Sequence, residues 1–169
     1  MSALWSASKL LRASARSWCE DASWLDQQCP PAKALIQTFA DGSFQYYEDG
    51  LEALLCPVEV GGGEIIDTVG WFSGRPADWW LEHRIATHLG DRALRHAAFL
   101  EKPIRLLPSP EAWLASPEDA MCILDWTTDL RALFRDVPEI WCSTTALSKH
   151  LLRRLDEQVR HTYEIRVVP

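Results

Sequence analysis

From Met121 to Pro169 the chain alternates short apolar runs with stretches of helical spacing, and no other feature restricts its fold so much. AMCILDW (120–126) is an apolar run closed by a polar helix start, and TTDLRALF (127–134) follows with helical spacing. EIWCST (139–144) is a second apolar run, TALSKHLLRRLDEQV (145–159) a second helix, and YEIRVV (163–168) a closing strand. Strand, crossover and strand in this order demand parallel pairing. The pattern predicts an α/β fold, a three-layer sandwich whose C-terminal half is βαβαβ. PIRLL (103–107) and EIIDTVGWF (64–72) are expected to extend the same sheet.

The 169 residues suffice for one domain burying about two thirds of its unfolded surface. We divide the chain into an N-terminal helical arm (1–28) and a single α/β domain (29–169). No apolar stretch approaches the roughly 20 residues that span a bilayer, so no membrane association is expected. A net charge of −7 opposes a nucleic-acid footprint, which needs a basic surface. Cysteines 19, 29, 56, 122 and 142 form no C-x-x-C pair, which points to free thiols, a reducing compartment and a cytoplasmic protein.

The arm is basic. Met1 to Cys19 holds Lys9, Arg12 and Arg16 and no acid, so it carries +3 and the remainder −10. Ser8, Leu11, Ala15 and Trp18 fall within about 40° of Leu4 on a helical wheel, an arc of about 80°. Such an amphipathic helix docks on its own domain, reaches an acidic partner, or acts as a targeting peptide. Nine tryptophans serve packing or a protein-binding face. The candidate contacts for a protein partner are Trp5, Trp79, Arg12 and Arg16.

In the middle of the chain, Ala32 to Ala40 reads as a short helix. Asp41-Gly42 and Asp49-Gly50 bracket a strand in SFQYYE, and Leu51 to Val60 continues a hairpin or meander into the Gly61-Gly62-Gly63 turn. Pro76 to Leu89 reads as a helix with Gly90 as its C-terminal cap, Pro76 in its first turn and Asp78 and Glu82 near its positive end. Ser109-Pro110-Glu111 opens another helix through Leu114.

Few residues carry a chemical signature. His83 and His88 stand about 140° apart on a helix and do not form a metal pair. Glu64 and Asp67, three apart on a strand, face opposite sides unless a bulge intervenes. The glycines at 61–63 lead into a strand rather than a helix and so do not cradle phosphate. No cofactor or metal is expected.

The ligand-binding candidates are Asp125, Ser143 and Thr144. They follow predicted parallel strands, at the edge where open α/β sheets build crevices. Each is also ordinary helix-cap chemistry. Lys149, Arg153 and Arg154 make the last helix locally basic, which offers a solvated face or, alternatively, a nucleic-acid contact.

The succession IIDTVGWF, PADWWLEHRIATHLG, LLPSPEAWL and MCILDW resembles proteins encoded by bacterial prophages and other mobile elements. This likeness spans about Ile65 to Pro169 and implies no activity. The C-terminal strand–helix order with Asp125 is also similar to toprim domains of primases and topoisomerases, which hold magnesium through a glutamate and an Asp-x-Asp pair. Here Trp126, Thr127 and Thr128 separate Asp125 from Asp129, so the pair is absent. The expected function is a non-catalytic accessory or protein-interaction role. The alternative is a degenerate nucleotide- or metal-binding enzyme with its crevice at Asp125.

Overall fold

The computed structural model describes residues 31–61, 63–75 and 77–161. The arm, with Trp5, Arg12 and Arg16, and the expected closing strand at 163–168 lie outside the described residues. Within them the protein is mixed α/β, with an antiparallel five-stranded sheet and a four-stranded mixed sheet.

The first sheet comprises β1 (Ala32–Thr38), β2 (Phe44–Tyr46), β3 (Leu51–Val60), β4 (Glu64–Trp71) and β5 (Trp79–Leu81), in the order β2-β1-β3-β4-β5. It curls until its two edges meet: Ser43 bridges Leu81, and Leu81 N–H donates to Gly42 O at 3.0 Å. Ile36, Phe44, Tyr46, Ala53 and Leu55 fill the inside of the curl. The expected meander is present, with turns at Asp41-Gly42 and Asp49-Gly50.

The expected helix at 32–40 is instead β1. Ala32, Ala34 and Ile36 turn inward while Lys33, Leu35 and Gln37 face water, a period of two. With β2 on one side and β3 on the other, β1 gains two ladders, and this overrides a weak helical preference.

The second sheet holds β6 (His88–Leu89), β7 (Ile104–Leu107), β8 (Ala120–Ile123) and β9 (Ile140–Cys142), in the order β6-β8-β7-β9. β7 pairs in parallel with β8 and β9, as the sequence order required, while β6 runs antiparallel to β8. PIRLL thus supplies the central strand, β7. EIIDTVGWF does not join this sheet; it is β4 of the curled one.

Helices α1 (Asp91–Phe99), α3 (Leu130–Leu133) and α4 (Thr145–His161) cover one face of the mixed sheet. Ala93, Leu94, Leu130, Leu147 and Leu151 pack there against Ile104, Leu106, Met121 and Ile123. The other face meets the curled sheet. Cys56, Val58, Val69 and Trp71 pack against Leu89, Leu107 and Cys122, with Trp113 of α2 (Pro110–Leu114) among them.

The expected helix at 76–89 does not form. Residues 79–81 are β5, 88–89 are β6, and the turn between them is held by Asp67. That side chain is 2% exposed. Its Oδ1 accepts from the N–H of Thr68 (2.8 Å) and His83 (2.9 Å), and its Oδ2 from Ile85 (2.8 Å) and Ala86 (3.0 Å). A buried carboxylate must find such donors, and these three from 83–86 are the ones a helix would have used. Arg84 between them adopts φ 56°, in the left-handed region.

Gly90 correspondingly ends no helix. It precedes α1 as a left-handed N-cap, φ 89°. A Cβ there would strike Ala120 O and lie 2.9 Å from Met121 Cα. The glycine is required both by its backbone angle and by the close approach of β8.

Candidate functional site

The parallel strands β7, β8 and β9 all end at one edge of the mixed sheet, where the sequence placed its candidates. Beyond β8, Asp125 N–H donates to Thr87 O at 3.1 Å, and Leu124 N–H donates to the same oxygen at 2.8 Å. Trp79 closes over this point, its Nε1 donating to Leu124 O at 3.0 Å. The indole is half-buried against the core between the sheets. Its polar end is therefore spent inside the protein.

The Asp125 carboxylate does not cap α3. Oδ1 accepts from Thr127 N–H (2.8 Å) and Thr127 Oγ1 (2.7 Å), closing a local Asx turn. Asp129 supplies the cap instead, accepting from Ala132 N–H at 3.0 Å. Asp125 itself is half-buried, and its Oδ2 accepts no hydrogen bond among the described residues.

Helix α4 locks the same loop from its far side. Arg154 donates to Trp126 O through Nε (3.1 Å) and Nη2 (2.7 Å), and through Nη1 to Glu157 (2.6 Å). Gln158 donates to Thr128 O (2.6 Å) and accepts from Leu130 N–H (3.1 Å). His150 meets the Trp126 ring edge-on, centroids 4.3 Å apart. Burial lowers the pKa of His150, and Arg153 and Arg154 lower it further. Of the three basic residues considered for nucleic acid, Arg154 is thus engaged with backbone and Glu157. Lys149 and Arg153 are exposed, and Arg153 Nη2 donates to His150 Nδ1 at 3.0 Å.

Ser143 and Thr144 share this edge but sit two strands away, with β7 between, a separation of about 10 Å. Thr144 is the N-cap of α4: its Oγ1 accepts from Leu147 N–H at 3.1 Å. Ser143 continues the β7 ladder by donating to Leu106 O. Ser109, at the end of β7, is buried and caps α2 through Ala112 N–H (3.2 Å). The edge gathers these residues in one line, and most of their polar atoms already serve the local backbone.

Elsewhere, Glu64 is exposed while Asp67 is buried, so the two carboxylates do not meet. This holds although a bulge does occur, with Ile66 extra on β4 opposite Val58 and Glu59. His83 is exposed and His88 buried, and they too are separate. Among the described residues no group of three or more His, Cys, Asp or Glu could hold a metal ion. His88 Nδ1 lies 2.9 Å from Thr87 Oγ1, and its Nε2 lies 3.6 Å from Asp91 Oδ1, an electrostatic contact too long for a good hydrogen bond. Gly61 N–H (2.9 Å) and Arg95 Nε (2.9 Å) also approach Asp91.

Two features escaped the sequence reading. Trp141, alternating with apolar Ile140 and Cys142, carries the sign of a residue on the opposite face, yet it was not singled out. It is 55% exposed, whereas Trp71 and Trp113 are buried. The Asp67 clamp has no local signature, since three of its four partners lie 16 to 19 residues away.

No family model matches this chain, and no curated protein or solved structure is significantly similar to it.

Proposed function

We propose that this chain is a non-catalytic, cytoplasmic accessory protein, of the kind that prophages and other mobile elements encode, and that it binds another protein. The observation that carries this reading is Trp141. It stands on the face of the mixed sheet opposite Ile140 and Cys142, more than half in water, with Arg105 beside it across the β7–β9 pair. Arg105 is itself held by Asp119 at 3.3 Å. A large indole next to an arginine is the composition of protein-interface hot spots. The free thiols of Cys56, Cys122 and Cys142 fit a reducing compartment.

A photo-crosslinker placed at Arg105 in cells tests the reading. A discrete adduct that disappears with Trp141→Ala is expected. An adduct that persists in that variant, or none at all, overturns the assignment of this face.

The half-exposed Asp125, whose Oδ2 accepts no hydrogen bond among the described residues, favours the second reading of a nucleotide- or metal-binding edge. A thermal-shift screen against nucleotides and divalent metals separates the two. A ligand at 100 times its Kd adds about 2.7 kcal/mol. A flat screen is expected, and stabilisation of that size that vanishes in Asp125→Asn would replace the first reading with the second.

A further inference from the structure

The curled sheet covers one face of the mixed sheet over β6, β8 and the end of β7, where Leu89, Ala120, Cys122 and Leu107 are buried. On β9, beyond β7, Trp141 shares that face yet is more than half exposed. The indole differs from two others in a second respect. Trp79 and Trp113 spend their N–H groups on the carbonyls of Leu124 and Ala120. The Trp141 indole makes no hydrogen bond among the described residues. Its ring and its donor are both free to meet a partner.

The charge around the indole selects that partner. Arg105 is in register with Trp141 on one side and with Ala120 on the other. Its guanidinium is held by Asp119 at 3.3 Å, so these two charges offset each other. Two further carboxylates stand nearby. Glu139 lies two residues before Trp141, on the same face by strand alternation and about 7 Å along the chain. Glu118 precedes Asp119 in the turn that enters β8. Both side chains are exposed, and neither carboxylate has an ion pair or hydrogen bond among the described residues. The surroundings of the indole are therefore acidic.

Three kinds of occupant are disfavoured by this charge. The phosphates of a nucleic acid and the headgroups of an anionic membrane would be repelled. A second copy of the chain would bring the same carboxylates to the contact. A basic segment is favoured twice over. An arginine or lysine stem lies well along an apolar ring, and its cation is attracted by the indole face. The flanking carboxylates then supply the complementary charge.

We propose that the Trp141 face takes a basic segment of a partner protein, with an arginine or lysine side chain flat on the indole and its charge turned toward Glu139. This gives the partner's chemistry for the face assigned above, and it rests on that assignment.

Titration of the isotope-labelled full chain with a short arginine-rich peptide, followed by NMR, tests this. The Trp141 indole N–H and the amides of 139–143 should shift, and a glutamate-rich peptide of equal length should leave them unmoved. Trp141→Ala should weaken binding about 10-fold and Glu139→Gln about 3-fold, and added salt should weaken it too. An equal response to the glutamate-rich peptide overturns the proposal. So does an affinity for the arginine-rich peptide that survives Trp141→Ala, which places that peptide elsewhere on an acidic chain. A dimer in sedimentation that Trp141→Ala dissolves also overturns it, giving the face to a second copy. The crosslinker at Arg105 separates this proposal from the reading beneath it. An adduct lost in Trp141→Ala but unchanged in Glu139→Lys keeps the face as a protein-binding one and removes its preference for basic partners. No adduct at all removes both.

Discussion

The two sheets are built on different economies of polar contact. The turn that leads out of the curled sheet is held by one buried carboxylate, Asp67, whose four backbone donors include three from residues 83–86. Among the described residues the mixed sheet has no such buried carboxylate. Its connections are held one at a time, by Ser109 on α2, Asp129 on α3 and Thr144 on α4. Concentration makes the first region vulnerable at a point far away in sequence. Dispersion makes the second tolerant, and each of these three caps lies within four residues of its target.

Removing the concentrated contact should produce the largest effect. Asp67→Ala leaves three loop N–H donors without their partner, that of Ala86 buried and those of His83 and Ile85 partly so, at a cost of about 3 kcal/mol in denaturant unfolding. Asp125→Ala removes only the two exposed bonds of one local turn and should cost about 1 kcal/mol. Equal losses in the two variants would show that the contrast between the regions is false.

Gly90→Ala tests a close approach within the mixed sheet, against β8. Its cost should be about 3 kcal/mol, from a left-handed backbone at φ 89° and the collision with Ala120 O. Gly42 has a similar positive φ, 86°, but no atom within 4 Å of a Cβ, so Gly42→Ala should cost only about 1 kcal/mol. Unfolding midpoints of the two variants, compared at constant m, separate crowding from backbone strain. Coincident midpoints would leave strain as the sole cause.

This division explains what the sequence disclosed. The caps at Ser109 and Thr144, the strands β7, β8 and β9, and the helix α4 were legible because each rests on neighbours close in the chain. The parallel pairing followed from element order. The segment 76–89 misled because Pro76, Asp78 and Glu82 satisfy helix-start rules, while the decision belongs to Asp67, which takes the amides a helix would need. AKALIQT (32–38) misled because its composition suits a helix, and only its two neighbouring strands reveal the alternation. Helix α1 went unread, although Asp91 in its first turn and buried Ala93, Leu94 and Ala97 form an amphipathic start. Of the edge residues, Asp125 was placed correctly at a strand end, but its commitment to Thr127 depends on loop geometry that spacing does not encode.

Within the dispersed region, Thr144→Ala should cost about 1 kcal/mol, the ordinary value of a helix N-cap. The same variant should leave His83, Ile85 and Ala86 amide exchange unchanged, because nothing in the Asp67 clamp depends on α4. A simultaneous loss of protection there would mean that the two regions unfold as one unit and that their separate devices are coupled.

The smallest effect belongs to Asp91, which touches both regions: Gly61 from the β3–β4 turn donates to it, and it begins α1. His88 is the largest influence holding its carboxyl below the ordinary 3.8. Burial opposes this, and the Gly61 N–H and Arg95 assist. A depressed folded value means that the charged form stabilises the fold above the unfolded value. That contribution is present in full above about pH 4–5 and is lost as pH falls through 3.8 and then through the folded value. Partial exposure and the exposed Arg95 limit it to under about 1 kcal/mol. Asp91→Asn should therefore flatten the acid limb of the stability profile below pH 4, while Arg95→Ala, removing only a lesser influence, changes it less. A larger flattening in Arg95→Ala than in Asp91→Asn would show that the tie between the sheets is an exposed ion pair rather than the His88–Asp91–Gly61 contact.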